Sequence, residues 1–347
     1  MLFRSASFTA LVAALMRSLH TRRDPRRVLD DSWGDRLVPE PAFLAVHEIA
    51  LAARTAGTLK SDASTARELV DDWLRANAAY PNVIVRSRFT EDALAAAIAR
   101  GVRQYVLIGA GFDTYSLRRE GAEGQVQVFE IDHPVTQSLK IQCILKACGS
   151  LPMSTHFVSA DLGKESVFEA LSRTSFKMDE PVFFSWLGVT MYLSGEANLL
   201  SLRAVGAHSA PGSEIVFSYL DQEVFEEARR EPTGPFALLL QAVAAVGEPF
   251  LSGFEPASLR KTLAAEGLEL VEDLDDVQVV SLYDTNGVNR FKARAMGRIA
   301  RAVVSNGDGS DAYRKRIDRA KPRSIRLLDK RGASGSAGLR GTANRFG

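Results

Sequence analysis

The sequence predicts an α/β fold in which a mostly parallel, doubly wound sheet follows a helical N-terminal region. Over the first hundred residues, apolar side chains recur at helical spacing. The period then changes, and short apolar runs rich in β-branched and aromatic residues alternate with helix-compatible segments. Such alternation is typical of right-handed βαβ crossovers, which set the strands parallel to one another.

The predicted elements follow in order along the chain. The N-terminal region contains four predicted helices, at 5–20, 41–57, 63–79 and 90–100. The sheet is predicted from the apolar runs at 104–111, 126–132, 155–162, 181–189, 213–220 and 268–274. The predicted helices between them are 134–148, 164–174, 195–208 and 256–266. We therefore expect a helical cap at 1–100, a ligand-binding core at 101–300 and a tail at 301–347.

Composition narrows the class of protein. With 347 residues, of which 46% are hydrophobic, the chain can bury a substantial core. Its two cysteines, Cys143 and Cys148, have no second pair to complete a zinc site or a disulfide framework. The five histidines do not fall at metal-ligand spacing. We expect a reduced protein without a metal.

Charge is distributed unevenly along the chain. The segment 301–347 holds twelve Lys and Arg against four Asp, and because the whole chain carries +1, the first 300 residues carry −7. This segment lacks sustained apolar periodicity, which predicts a basic, flexible tail. Aromatic residues for base stacking are nearly absent there, so no nucleic-acid partner is expected.

The location of the protein is also predicted. The apolar run SFTALVAALM at 7–16 is too short to span a bilayer, and no A-x-A-like cleavage site follows it. No other stretch approaches the length of a membrane span. We expect a cytoplasmic protein that acts on a small molecule, and the sequence indicates no particular oligomeric state.

The end of the first predicted strand carries the first ligand signal. Gly109 and Gly111 allow a sharp turn and bring bare backbone close to a ligand, although such a turn also serves strand-to-helix packing. The next strand ends with FEIDHP, which places Glu130 and Asp132 about 20 residues further on. A carboxylate there can accept hydrogen bonds from both hydroxyls of an adenosine ribose.

Two nucleotide-like cofactors compete for this arrangement. NAD binding favours a third glycine where the pyrophosphate meets the helix, but Thr114 occupies that position and Asp113 lies beside the turn. A carboxylate repels pyrophosphate and suits a cationic ligand such as S-adenosylmethionine, whose ammonium Asp113 is expected to face. The third strand adds Asp161 and Leu162, which are suited to the adenine amino group and ring. The alternative for Asp161 is an N-cap of the next helix.

Several motifs together resemble a known family. RFTEDALAAAIARGVRQYVLIGAGFDTYSLRR, VFEIDHP, SADL and FFSWLGVTMYLS resemble the leucine carboxyl methyltransferase-like family of class I S-adenosylmethionine-dependent methyltransferases, in its bacterial branch. The likeness covers roughly residues 5–290. It implies a Rossmann-like sheet of about seven strands, an N-terminal helical cap and a long insertion near the last strands.

The resemblance also implies roles for particular residues. An arginine upstream of the glycine turn is expected to bind the cofactor's carboxylate, and Arg86 of VRSRF is the best match, with Arg88 close behind. The other implied contacts are Gly109 and Gly111 to the methionine portion, Asp132 to the ribose, and Asp161 with Leu162 to the adenine. The remaining carboxylate, Glu130, is expected to face solvent at the strand end.

The sequence departs from the family pattern in two places. Leu187 stands where the eukaryotic members have an acidic residue, and Tyr115 stands where an arginine is usual. The first departure weakens any expectation of the same protein substrate. It also leaves room for a non-catalytic, cofactor-binding regulatory protein.

The predicted function is S-adenosylmethionine-dependent O-methylation of a carboxylate or hydroxyl on a small molecule. Methyl transfer from a sulfonium needs mainly alignment and exclusion of water, so no catalytic triad is required. Thr190 and Tyr192 follow the fourth strand and are expected to face the methyl group. His133 is expected to have a structural role. The alternatives are an NAD-dependent oxidoreductase, disfavoured by Thr114 and Asp113, and the regulatory protein.

Overall fold

A seven-stranded sheet forms the centre of the computed structural model, which describes residues 6–119, 126–245, 247–293 and 296–304. Its strands are Gln104–Ile108 (β1), Gln127–Asp132 (β2), Thr155–Ser159 (β3), Val182–Trp186 (β4), Glu214–Leu220 (β5), Leu268–Asp275 (β6) and Gly297–Val304 (β7). The first six lie where the apolar runs predicted strands. Strands β4 and β5 are buried along their whole length, as expected for strands covered on both faces.

The strand order is β3-β2-β1-β4-β5-β7-β6, and only β7 runs antiparallel to its neighbours. This order is that of a Rossmann-like doubly wound sheet and confirms the predicted fold class. The order reverses between β1 and β4, and in open α/β sheets the crevice at such a reversal, beyond the carboxyl ends of the strands, is where ligands bind. The ends of β1, β2 and β4 therefore locate the candidate site.

In the part of the chain that the structure describes, five α-helices precede the sheet. They are Phe8–Arg23 (α1), Gly34–Leu37 (α2), Glu40–Thr55 (α3), Ala66–Ala76 (α4) and Tyr80–Ala99 (α5). Helix α5 begins ten residues earlier than predicted. A helix can begin just before Pro81, because the first-turn N–H groups have no partner within the helix and the proline therefore costs no hydrogen bond. The early start places Asn82 and Arg86 on a regular helix.

Among the described residues, eight α-helices lie among or beside the strands. They are Tyr115–Arg118 (α6), Pro134–Cys148 (α7), Val167–Leu171 (α8), Gly195–His208 (α9), Glu223–Arg230 (α10), Pro235–Ala245 (α11), Pro256–Ala265 (α12) and Asp276–Tyr283 (α13). Helices α6, α10, α11 and α13 were not predicted. Helix α6 follows β1, and the other three belong to the connections after β5 and β6.

The last strand crosses the predicted boundary between core and tail at residue 300. Strand β7 continues to Val304, and its Arg301 is buried beside the Glu214 carboxylate, with an N–O distance of 2.6 Å. The rest of the predicted tail, 305–347, lies outside the described residues. Within the residues that the structure describes, no helix has the length and hydropathy of a membrane span.

Candidate functional site

The glycine turn after β1 is fixed by its neighbours. Gly109 has a φ of +69° and Gly111 a φ of +50°, a region that favours glycine. The amide of Gly109 donates to the carbonyl of Ile131 on β2, at 2.9 Å. A Cβ on Gly109 would lie 2.4 Å from a methyl of Val189, in the loop after β4. The turn is thus confined between β2 and that loop.

Helix α1 lies directly against the second glycine. A Cβ on Gly111 would lie 3.0 Å from the Cβ of Ala10. The sequence predicted a ligand close to this backbone, and the structure shows that α1 also needs the space. Gly111 therefore serves helix packing in addition to any contact with a ligand.

Asp132 ends β2 and is bound to the glycine turn. Its Oδ2 accepts from the Gly111 amide at 2.5 Å, and its Oδ1 accepts from the His133 amide at 2.7 Å. Burial raises the pKa of this carboxyl, while the two amides oppose the shift. Each oxygen has a second acceptor site. The carboxylate is thus oriented at the cleft and can still accept from ribose hydroxyls.

Glu130, two residues earlier, is fully buried and does not face solvent, so that expectation is wrong. Its Oε2 lies 2.5 Å from the Lys140 ammonium of α7, and its Oε1 accepts from the Ser116 hydroxyl at 3.0 Å. The sequence could not show this, because the pairing depends on where α7 packs. Of the two acids on β2, Asp132 is the one at the cleft.

Asp113 has a local structural contact. Its Oδ1 accepts from the Tyr115 amide at 2.8 Å, at the start of α6. Thr114 is buried and its hydroxyl donates to Asp31. One oxygen of Asp113 is thus used by the turn, and its expected contact with an ammonium remains a prediction.

The turn after β3 contains Asp161 and Leu162. The Asp161 carboxylate accepts from the Gly163 amide at 3.1 Å and lies 2.8 Å from the Lys164 ammonium, a hydrogen bond that lowers the pKa of Asp161. Ser166 is the N-cap of α8, so the alternative of Asp161 as that cap is wrong. Leu162 is partly buried against the main core cluster.

Arg86 differs from the other charged residues of the site in its hydrogen-bond partners. Its Nη1 donates to the Oδ1 of Asn82, one turn earlier on α5, at 3.0 Å. Among the described residues, it has no carboxylate oxygen within the 4.0 Å of an ion pair. Burial lowers the pKa of Arg86 to about 10. A partly buried guanidinium with a single neutral partner is suited to an anionic ligand.

The loop after β4 packs against this guanidinium. Gly188 has a φ of +68°, and a Cβ there would lie 2.7 Å from the Nη2 of Arg86. By contrast, Arg88 is already paired: its Nε donates to Asp92 at 2.9 Å and its Nη1 to the carbonyl of Val28 at 3.0 Å. Of the two arginines that the sequence suggested, Arg86 is the one available to a ligand.

The two residues predicted to face the methyl group differ in their surroundings. Thr190 is buried, and its hydroxyl donates to the carbonyl of Ser218 on β5 at 2.7 Å. This contact holds the turn after β4, and the expected position of Thr190 beside the methyl group stays a prediction. The Tyr192 hydroxyl donates to the hydroxyl of Thr9 on α1 at 3.1 Å, and burial raises its pKa. Tyr192 remains the candidate for contact with the acceptor.

Sequence reasoning missed the residues that hold α1 over the cleft. The Glu248 carboxylate accepts from the amides of Phe8 and Thr9, at 2.8 and 3.2 Å, and so caps α1. Phe250 packs on the Tyr192 ring at 5.3 Å between centroids. These contacts join residues about 60 to 240 positions apart, and no local motif signals them.

Comparisons with known proteins agree with this geometry. The model of the leucine carboxyl methyltransferase family matches residues 10–206, more than half of the chain. The chain belongs to this family. As a member, it is an S-adenosylmethionine-dependent methyltransferase. The match ends before α10, so Glu248 and Phe250, which contact α1 and Tyr192, lie outside it.

Two relatives from sequence comparison are consistent with the family assignment. YktD of Bacillus subtilis, named as an S-adenosyl-L-methionine-dependent methyltransferase, is 31% identical over 83% of this chain and 94% of its own. A protein of Mycolicibacterium smegmatis with the same kind of name is 30% identical over 72% of this chain and 78% of its own. The crystal structure of a DUF574 family protein from Streptomyces avermitilis aligns with a TM-score of 0.49 at 18% identity, over 75% of this chain and 96% of that one.

Proposed function

We propose that this methyltransferase methylates an oxygen of a small molecule, and that the acceptor is a carboxylate. The observation that carries the proposal is the turn after β4, where Gly188 packs against the Arg86 guanidinium and Tyr192 stands on the same turn. The cofactor's amino-acid end and the acceptor would therefore meet at this turn.

The side chains at the site fit S-adenosylmethionine. Arg86 would bind the carboxylate, Asp132 the ribose hydroxyls, and Asp161 with Leu162 the adenine, in the order in which α5, β2 and β3 present them. When bound, S-adenosylmethionine supplies a methyl group that its sulfonium already activates. The protein's task is then alignment and exclusion of water. Helix α1 and Phe250 would serve the second purpose.

The surroundings of Tyr192 and His133 favour a carboxylate over a hydroxyl acceptor. An ionised carboxylate needs no general base, whereas a hydroxyl does. His133 is the N-cap of α7, where its Nδ1 accepts from the Val135 amide at 3.4 Å, and it is exposed. This supports the structural role predicted for it. Tyr192 would donate a hydrogen bond to the acceptor carboxylate in place of Thr9.

The test is turnover of labelled S-adenosylmethionine against matched pairs of small carboxylic acids and alcohols. We expect methyl ester formation, and Tyr192→Phe should lower kcat/KM about tenfold while leaving S-adenosylhomocysteine affinity unchanged. Ether formation only would contradict the choice of acceptor. Saturable NAD binding without a response to S-adenosylhomocysteine would contradict methyl transfer itself, and cofactor binding without turnover on any acceptor would favour the regulatory alternative.

A further inference from the structure

Asp276, the first residue of α13, joins three elements beside the site. It is buried, and its Oδ1 accepts from the Asn82 amide of α5 at 2.5 Å. Its Oδ2 accepts from the backbone amide of Gly297, the first residue of β7, at 3.2 Å. A Cβ on Gly297 would lie 2.6 Å from this oxygen, so a side chain there would have to displace the Asp276 carboxylate.

The contact fixes the orientation of the Asn82 side chain. A side-chain amide has one end that donates and one that accepts. Asp276 accepts from the Nδ2 end, which turns the Oδ1 end toward Arg86, where it accepts from Nη1 at 3.0 Å. Reversing the amide would set two donors, Asn82 Nδ2 and the guanidinium, against each other. Asp276 thus holds the Arg86 guanidinium indirectly, through the neutral side chain of Asn82.

We propose that Asp276 is a positioning residue for the cofactor's carboxylate, acting on Arg86 through the Asn82 amide; this rests on the proposed role of Arg86. Because the intervening group is neutral, it orients the guanidinium without satisfying its charge. The charge is thereby kept for the ligand. A carboxylate placed directly on Arg86 would orient it equally well but would compete with that ligand.

The charges of the group agree with this assignment. Burial raises the pKa of Asp276 to about 6, and burial lowers the pKa of Arg86 to about 10. Both shifts go toward the neutral form, as expected when two opposite charges do not touch and burial is not compensated in full. A bound carboxylate would restore the balance at Arg86.

Helix α13 does not need Asp276 in order to begin. Its N-cap is Asp275, which accepts from the Gln278 amide while the Gln278 side chain accepts from the Asp275 amide, a complete capping box. The two neighbouring acids thus have separate tasks. Asp275 is therefore a matched control: its removal weakens the same helix end without touching Asn82.

The experiment compares two ligands by calorimetry. S-adenosylhomocysteine carries the amino-acid carboxylate, and 5′-methylthioadenosine has the same adenosine and thioether without it. In Asp276→Leu, we expect S-adenosylhomocysteine affinity to fall about tenfold and 5′-methylthioadenosine affinity to stay within about twofold. Asp275→Ala should lower the melting temperature and leave both affinities unchanged.

A purely structural role would give a different result. Equal losses for both ligands in Asp276→Leu, or no loss for either, would overturn the proposal. If Asp276→Leu does not fold, Asp276→Asn replaces it. Because the new side-chain amide cannot accept from both Asn82 and Gly297, we expect a smaller loss of affinity, confined to S-adenosylhomocysteine. A loss of affinity for both ligands, or for neither, overturns the proposal. If the wild type binds neither ligand, the proposed function fails and this inference with it.

Discussion

At the proposed cofactor end of the cleft, Asp132 and Asp161 are held by backbone amides nearby in sequence or on the adjacent strand. At the proposed acceptor end, Tyr192 and Glu248 contact groups from the other end of the chain. Asp132 accepts from Gly111, 21 residues away, whereas Tyr192 contacts Thr9 across 183 residues and Glu248 contacts Phe8 across 240. Compact sequence motifs therefore describe the first end and leave the second almost unmarked.

This contrast explains why the cofactor class is easier to infer than the acceptor. A strand end and a glycine turn place their groups by local geometry. The acceptor end depends on how α1 and the segment after α11 pack, and both lie against Tyr192. Variation there can change the acceptor without disturbing the cofactor turn.

The largest expected effect distinguishes the two acids of β2. Glu130→Gln leaves the Lys140 ammonium buried without its counter-charge, which should lower the free energy of unfolding by about 3–5 kcal/mol. Denaturant unfolding measures the loss. Glu165→Gln, which breaks a more exposed pair with Arg173, should cost less than about 1 kcal/mol. Similar losses of unfolding free energy in both variants would show that the buried pair stabilises the fold no more than the exposed pair.

Asp132→Ala should act on the ligand more than on the fold. The loss of charge-assisted hydrogen bonds to the ribose should weaken S-adenosylhomocysteine binding by about 2–3 kcal/mol, measured by calorimetry. Part of the effect will come through the released Gly111 amide. An unchanged affinity would mean that Asp132 only supports the glycine turn.

Glu248→Ala tests the long-range contacts of the acceptor end. Without its carboxylate, the amides of Phe8 and Thr9 lose their side-chain partner, which should cost about 1 kcal/mol at the start of α1. Hydrogen exchange at these two amides should then speed up about fivefold. Glu255→Ala, at the N-cap of α12 without a side-chain cap bond, is the control. No change in exchange would show that α1 is held by packing alone.

Asp113→Ala should have the smallest effect. Loss of its bond to the Tyr115 amide should lower stability by about 0.5–1 kcal/mol, seen as a lower melting temperature. If its free oxygen also faces the cofactor's ammonium, S-adenosylhomocysteine affinity will fall as well. A normal affinity with a lower melting temperature would assign Asp113 to the turn alone.

Most of the sheet could be predicted from the sequence, because six strands lie in short apolar or alternating segments whose period differs from that of the helices. Strand β7 could not, since Arg298 and Arg301 interrupt its pattern and their burial depends on the partners Asp273 and Glu214. Charged side chains within a strand are usually predicted to be exposed to solvent. Only the folded sheet shows that these are paired.

A site residue could be predicted where its position along a strand determines the direction of its side chain. The strand end predicted the place of Asp132 and the family resemblance indicated Arg86, whereas nothing in the sequence showed that the Thr190 hydroxyl donates to a carbonyl on β5. Asp276 lies in a connection after β6 that no motif marks. Its role depends on the direction of one amide, which only the packing of α5, α13 and β7 determines.

The most direct test of the account is calorimetry of Arg86→Met and Arg88→Met with S-adenosylhomocysteine and 5′-methylthioadenosine. The two arginines share a helix, but only Arg88 is already paired with a carboxylate. The proposed role of Arg86 predicts that Arg86→Met lowers S-adenosylhomocysteine affinity by about 2–3 kcal/mol and leaves 5′-methylthioadenosine affinity unchanged, whereas Arg88→Met changes neither affinity. Full S-adenosylhomocysteine affinity in Arg86→Met would contradict it.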